Sequence, residues 1–201
     1  MKRLTFVLAL AGLLAASLPA ADLSAEEMQR ATDYLKKTSN ELLVATKGLS
    51  QAQLDFRSAP DRWSVAEVAE HIVATEDRLR ALIADRVLKA PPRAEPVNGQ
   101  EIDEFILQVI PDRSKKAQAP EELRPTNRFG TTAETLKHFT ASRTKTVALL
   151  KETKGLRDHA VDSPLGKKLD GYQWILFIGA HCERHTKQIA EVKADPNFPR
   201  G

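Results

Sequence analysis

Four amphipathic segments, parted in the middle by a proline-rich stretch, are the feature of this sequence that most constrains its fold. Within each segment, residues of core character recur at steps of three and four, a spacing that places them on one face of an α-helix. The four stripes are Met28, Ala31, Leu35, Thr38, Leu42, Ala45 and Leu49; Val68, Ile72, Thr75, Leu79 and Leu82 or Ile83; Leu136, Phe139, Arg143, Val147 and Leu150; and Trp174, Ile178, His181, His185, Gln188 and Val192. Because a helix with one such stripe has to bury it against other helices, the pattern predicts an all-α four-helix bundle.

Capping residues predict where these helices begin. Ser24, Ser64 and Thr131 are each followed three residues later by a glutamate. In this capping-box pattern, each of the two side chains bonds the other residue's backbone N–H. Asp170 is placed to cap the first turn of the fourth helix.

The long segment between the second and third helices is predicted to be a crossover. Residues 89–99 contain three prolines, and each proline fixes φ and removes a backbone donor, which excludes regular structure. Apolar spacing over residues 101–110 predicts a short helix, which Pro111 ends. We expect the crossover to form a lid or strap over one side of the bundle. The short connections on either side of it predict that the first and second helices, and the third and fourth, are antiparallel neighbours.

The N-terminus has the pattern of a secretory signal peptide. A basic start at residues 1–3 is followed by an apolar run over residues 4–18 and then by a proline and small residues. The run is shorter than the roughly 20 residues that a membrane span needs. We therefore expect a signal peptide at residues 1–20, cleavage near Ala20, a periplasmic or secreted protein without a stable membrane span, and one bundle domain at residues 23–195.

The charge of the exported chain excludes a nucleic-acid-binding surface. Without Lys2 and Arg3, the 30 basic residues become 28 against 27 acidic ones. A near-neutral balance lacks the basic excess with which proteins bind nucleic acids. We therefore expect a small-molecule substrate and no nucleic-acid partner.

Two histidines, His181 and His185, lie four residues apart on the stripe of the fourth helix. At this spacing their Cβ atoms are about 5–6 Å apart, close enough for both rings to ligate one metal ion. The alternative is a pair of core histidines satisfied by ordinary hydrogen bonds. His71 lies at the border of the second stripe, where a lone histidine is more often structural. Cys182 is turned about 100° away from the histidine stripe, which makes it an improbable ligand.

If the three imidazoles met in the bundle core, they would form a metal site with positions left open for water or substrate. Zinc, nickel and iron(II) all suit imidazole ligands, so the ligand type does not choose among these divalent ions. Glu67 and Gln188, one turn from His71 and His185, are the candidates for orienting the rings.

Arg143 interrupts the stripe of the third helix and has two interpretations. The favoured one is that its stem packs while its charged head reaches water. The alternative is an inward cation that holds a carboxylate of the protein or of a ligand.

The sequence resembles the DinB-like (DinB/YfiT) family, and specifically its secreted members. Residues 63–72 (WSVAEVAEHI) look like the family's tryptophan-serine entry to the second helix, and residues 180–189 (AHCERHTKQI) like its closing HxxxH helix. The resemblance covers nearly the whole mature chain. It implies an up-down-down-up bundle and a metal ion bound by His71, His181 and His185.

Three functional hypotheses follow, since the family includes metal-dependent thiol transferases, hydrolases and members without an assigned activity. The first is a metal-dependent enzyme that activates water or a thiol for hydrolysis or thiol transfer. The second is an exported bundle that binds a metal or a small ligand without chemistry. The third is a structural domain that works through protein contacts, for example as a homodimer.

Overall fold

The computed structural model describes residues 22–93 and 99–200. The predicted signal peptide at residues 1–20 lies outside the described residues. The helices are α1 (Ala25–Thr46), α2 (Gln51–Asp55), α3 (Val65–Leu82), α4 (Gly99–Val109), α5 (Thr132–Glu152) and α6 (Gly171–Lys193); the strands are β1 (Ala160–Asp162) and β2 (Lys168–Asp170). The four long helices α1, α3, α5 and α6 form the all-α four-helix bundle that the stripes predict.

Capping boxes start the four long helices, as predicted. The Ser24, Ser64 and Thr131 hydroxyls accept hydrogen bonds from the backbone N–H three residues on, at 3.2, 3.3 and 3.3 Å. The carboxylate of Asp170 accepts one from Gln173 at 2.7 Å. In each box the third residue's side chain bonds back to the cap residue's N–H. These local contacts explain why the sequence locates the helix starts.

The helices run up-down-down-up, so that α1 is parallel to α6. Hydrogen bonds join Tyr172 to the Glu27 carbonyl near the start of both helices and Lys193 to the Ala45 carbonyl near their ends. Between these points Gly179 lets the two helices approach closely, since a Cβ there would lie 2.8 Å from the Tyr34 ring. α3 packs against both α5 and α6.

The predicted neighbours are wrong, because α1 and α3 lie across the diagonal of the bundle, and so do α5 and α6. α1 packs mainly on α6 and α5, with little direct contact to α3, and α5 and α6 also touch only slightly. The physical reason lies in the connections. Residues 47–64 contain α2, and residues 153–170 contain the β1–β2 hairpin, neither of which was predicted. Both connections are thus long enough to cross the end of the bundle.

The crossover leaves α3 through a π-helical turn, Ile83–Val87, and then forms α4, which confirms the predicted short helix. Ile106 of α4 is fully buried and joins the core cluster. Arg184 of α6 donates to the carbonyls of Ile110, Asp112 and Lys115, and so holds the next part of the crossover against α6. The crossover is therefore a strap across one side of the bundle.

An ionic cluster ties the strap to the hairpin end of the bundle. Arg157 bonds Glu27 of α1 at 2.7 Å, Asp103 of α4 at 2.6 Å and Asp170 at 3.1 Å. Asp103 and Asp170 are almost completely buried, so their charges need this partner.

Within residues 22–93 and 99–200, no helix is both long enough and apolar enough to cross a membrane.

Candidate metal centre

Three histidines from two antiparallel helices converge on one side of the bundle. His71 comes from α3, and His181 and His185 come from successive turns of α6. One ring nitrogen from each histidine lies within 4.8 Å of the others. The shortest separation joins Nε2 of His71 to Nε2 of His181, at 3.2 Å. His71 is buried and the other two histidines are partly buried.

A backbone carbonyl fixes the ring of His71. Its Nδ1 lies 2.9 Å from the carbonyl oxygen of Leu123, in the short 3₁₀ turn Glu121–Leu123 of the strap. A carbonyl oxygen can only accept a hydrogen bond, so Nδ1 carries the proton. In the neutral ring, Nε2 then carries the available lone pair. This lone pair is directed at the other histidines, as metal ligation requires.

Gln188 plays the same part for His185. The Nδ1 atom of His185 lies 2.8 Å from Oε1 of Gln188. Arg113 of the strap donates to the same Oε1 at 3.3 Å and holds Glu191 through two short bonds. Because arginine can only donate, the amide atom between the two residues must be the oxygen, and His185 is the Nδ1–H tautomer.

Two aromatic side chains flank the cluster. The Trp63 ring lies 4.8 Å from the ring of His71, and Phe177 stacks on His181 at 6.4 Å. Loss of hydration disfavours the protonated imidazole and lowers the pKa of all three rings, with that of His185 falling to about 3. The rings are therefore neutral at pH 7.

The donor set suits a divalent transition-metal ion. Ligand nitrogens of a tetrahedral zinc site, with bonds of about 2.0–2.1 Å, lie roughly 3.3 Å apart, and the His71–His181 separation of 3.2 Å is close to this value. Among the residues that the structure describes, the cluster contains no carboxylate or thiolate. Three imidazoles leave at least one coordination position open, which is the arrangement of catalytic rather than structural zinc sites.

The two residues expected to orient the rings behave differently. Gln188 lies beside Nδ1 of His185, where the sequence placed it. The prediction for Glu67 is wrong, because its carboxylate accepts from the Ser64 N–H at 2.8 Å and pairs with Arg57. The Glu67 side chain is part of the capping box, so it points to the start of α3 rather than to His71. Sequence reasoning missed the Leu123 carbonyl, since a backbone acceptor has no side-chain signature.

Comparison with known proteins places the chain in a family. The model of the DinB superfamily matches residues 34–189. The chain belongs to the DinB superfamily. The match includes all three histidines. It also includes most of α1 and α6, the first and last long helices of the bundle.

A curated relative supports the same family. The uncharacterised protein YuaE of Bacillus subtilis (strain 168) is 32% identical over 160 residues, covering 78% of this chain and 91% of YuaE.

A solved structure shares the fold. It is YfiT of Bacillus subtilis, described as "a probable metal-dependent hydrolase with an unusual four-helix bundle topology". The two structures have a TM-score of 0.55 at 13% identity, and the match covers 92% of this chain and 97% of that one. At this identity the likeness establishes the four-helix bundle fold alone.

Arg143 does not reach water, so the favoured interpretation of this residue is wrong. Its side chain is 6% exposed and bonds both carboxylate oxygens of Glu76 at 2.9 Å. Nη1 also donates to the Leu35 carbonyl and the Thr38 hydroxyl. Groups of α1 and α3 thus hold the guanidinium, and the alternative of an inward cation on a protein carboxylate is the one observed.

Cys182 lies away from the histidine cluster. It is buried between α6 and α1, and its Sγ lies 3.4 Å from the carbonyl of Thr38. Burial raises the pKa of the thiol to about 11. The thiol is therefore protonated at pH 7 and is a poor nucleophile.

Proposed function

We propose that this DinB-superfamily protein is an exported hydrolase that depends on a divalent metal ion held by His71, His181 and His185. The observation that carries the proposal is the convergence of three neutral imidazole nitrogens within 4.8 Å. Two of the rings have their other nitrogen engaged by an oxygen acceptor, which directs the free lone pair into the cluster.

A divalent ion at this position would supply Lewis acidity and lower the pKa of a bound water, so that water becomes a nucleophile at neutral pH. The chain's own residues hold the imidazole rings and orient them toward the ion. Leu123 and Gln188 hold two of the imidazoles, while the rings of Trp63 and Phe177 exclude bulk water from the side of the cluster. Exclusion of water strengthens electrostatic interactions inside the site.

The description of YfiT as a probable metal-dependent hydrolase agrees with this proposal. Export favours hydrolysis over thiol transfer, because an exported protein meets little low-molecular-weight thiol. The chain itself does not supply a reactive thiolate, since Cys182 is buried and its pKa is raised. Zinc, nickel and iron(II) are the ions to test, and the substrate is a small molecule with a hydrolysable electrophilic centre.

The first experiment is elemental analysis of the protein purified without a histidine tag, beside a His181→Ala/His185→Ala variant. We expect near-stoichiometric metal in the wild type and its loss in the variant. Metal-free samples of both proteins, unchanged after addition of zinc, nickel or iron(II), would overturn the proposal.

A screen of esters and amides then tests catalysis. We expect turnover by the metal-loaded wild type and background rates from a His185→Ala variant. Stoichiometric metal without any turnover above this variant would instead support an exported bundle that binds a metal or small ligand without chemistry. Turnover only in the presence of an added thiol and an electrophilic acceptor would support thiol transfer.

A further inference from the structure

We infer that Glu70 is a positioning residue of the three-histidine centre, acting on His71 through the strap rather than by direct contact. It fixes the segment 123–128, whose Leu123 carbonyl orients the His71 ring. This inference rests on the proposed metal site, although the contacts that carry it lie within the protein and can be tested without metal.

The carboxylate of Glu70 holds three successive residues of the strap. It accepts backbone N–H bonds from Thr126 and Asn127 at 2.8 Å and from Arg128 at 3.2 Å. The side chain is 7% exposed. Charge-assisted bonds to a buried carboxylate are stronger than neutral ones, so this clamp fixes the strap firmly to α3.

The backbone conformation of Asn127 suits the three hydrogen bonds to Glu70. Asn127 has a φ of 61°, the left-handed conformation that asparagine tolerates better than most residues. This local reversal brings its N–H to Oε2 of Glu70 while the N–H groups of Thr126 and Arg128 reach Oε1.

Arg128 extends the clamp to the residues on both sides of Leu123. Its Nε donates to Glu70 at 3.2 Å, Nη1 to the Glu122 carbonyl at 2.9 Å, and Nη2 to the Arg124 carbonyl at 2.5 Å. The carbonyls of the residues before and after Leu123 are thus tied through Arg128 to the carboxylate of Glu70. The Leu123 carbonyl, which lies between them, is consequently held in place against His71.

This chain of contacts affects one of the three rings only. His71 depends on Leu123, which lies far from it in sequence, whereas His185 depends on Gln188 in its own helix. Loss of the Glu70 clamp should therefore free the His71 ring and leave the His185 ring in its Nδ1–H tautomer. A general loss of folding would disturb both rings together.

The test compares Glu70→Gln with Glu67→Gln in the full-length protein. Both substitutions remove one negative charge from α3 and keep the side-chain size. Glutamine at position 67 still closes the Ser64 capping box. At position 70 one carboxylate oxygen becomes an NH2 group, which cannot accept from the N–H groups of the strap, so the clamp loses at least one of its bonds and its negative charge.

The first readout is the tautomer of each histidine in the metal-free protein, from long-range ¹H–¹⁵N NMR. We expect the Nδ1–H form of His71 in the wild type and in Glu67→Gln, and a mixture of tautomers in Glu70→Gln, with His185 unchanged in all three. The second readout is zinc affinity by chelator competition. We expect Glu70→Gln to bind zinc roughly 10- to 100-fold more weakly, the usual range when support of a metal-bound histidine is lost.

A Glu70→Gln protein that keeps the wild-type tautomer of His71 and binds zinc within twofold of wild type would overturn the inference. If Glu70→Gln does not fold, Arg128→Gln leaves the three backbone bonds to Glu70 and removes the side-chain bonds that join Glu70 to the carbonyls of residues 122 and 124. An unchanged His71 tautomer in this variant would also overturn the inference. If the wild type binds no metal while the tautomer of His71 still follows Glu70, the proposed function fails and the positioning role stands.

Discussion

The bundle contains two polar clusters, the three histidines and the Arg143–Glu76 cluster. We call the Arg143–Glu76 cluster closed, because protein groups satisfy its charges, and the histidine cluster open, because its ring nitrogens face one another. Both draw on α3, where Glu76 follows His71 by just over one turn. Around Arg143 and Glu76 the charges cancel. The Leu35 carbonyl and the Thr38 hydroxyl accept from Arg143, and the Thr146 hydroxyl donates to Glu76 at 2.7 Å. In the histidine cluster, ring nitrogens face one another, and no carboxylate of the described part of the chain joins them.

This difference distinguishes a structural cluster from a candidate functional one. A buried polar group without a partner costs free energy, so most such groups in proteins are paired. The Arg143 cluster follows this rule within the protein and needs nothing more. The histidine cluster satisfies the outer nitrogens of His71 and His185 and leaves ring nitrogens facing each other inside, an arrangement that a bound cation would complete.

The largest expected effect is on the closed cluster. Arg143→Met keeps an apolar stem but leaves the carboxylate of Glu76 buried without its cation, since Glu76 is 1% exposed. We expect a loss of about 3–5 kcal/mol in the free energy of unfolding, measured by urea denaturation. Arg143→Met/Glu76→Leu should recover much of this loss, because no charge is then left unpaired. A loss below about 1 kcal/mol in the single variant would contradict a closed ionic pair.

An intermediate effect is expected when metal is added to the open cluster. At free zinc 100-fold above its dissociation constant, the free energy of unfolding should rise by about 2.7 kcal/mol. His181→Ala/His185→Ala should abolish this rise. His138→Ala is the matched control, because His138 is 44% exposed on α5, pairs with Asp77, and is not a member of the cluster. An equal rise in the cluster variant would place zinc binding elsewhere.

The smallest effect is expected from the residue that supports His185. Gln188→Ala removes the acceptor at Nδ1 and should weaken zinc binding about tenfold, or about 1.4 kcal/mol. Glu67→Gln should leave zinc affinity unchanged, since Glu67 caps α3 and does not touch the cluster. Isothermal titration of both variants measures this difference. Equal affinities of the two variants would show that Gln188 does not support the site.

Much of the fold could be predicted because its signals are local. The capping boxes that start α1, α3 and α5 connect residues three apart, and the amphipathic stripes repeat within single helices. The short helix of the crossover was predicted for the same reason. The β1–β2 hairpin and α2 were missed, because short elements carry too few residues for a periodic pattern.

The candidate site could be predicted in part. The pair His181 and His185 is visible in one helix, and Gln188 follows from the same periodicity. Glu67 was assigned to the wrong partner because helical spacing alone does not reveal that capping already uses its carboxylate. Arg143 was misjudged because its partner Glu76 lies on another helix.

The sequence alone determined the four long helices, their starting points and the residue types on each face, since these depend on contacts within a few residues. Only the tertiary structure decided which helices are neighbours, that His71 meets the α6 histidines, and that Glu70 holds the strap whose Leu123 carbonyl orients His71. These features depend on packing between segments far apart in the chain. A backbone carbonyl, moreover, is the same in every residue, so its role becomes visible only when the chain has folded around it.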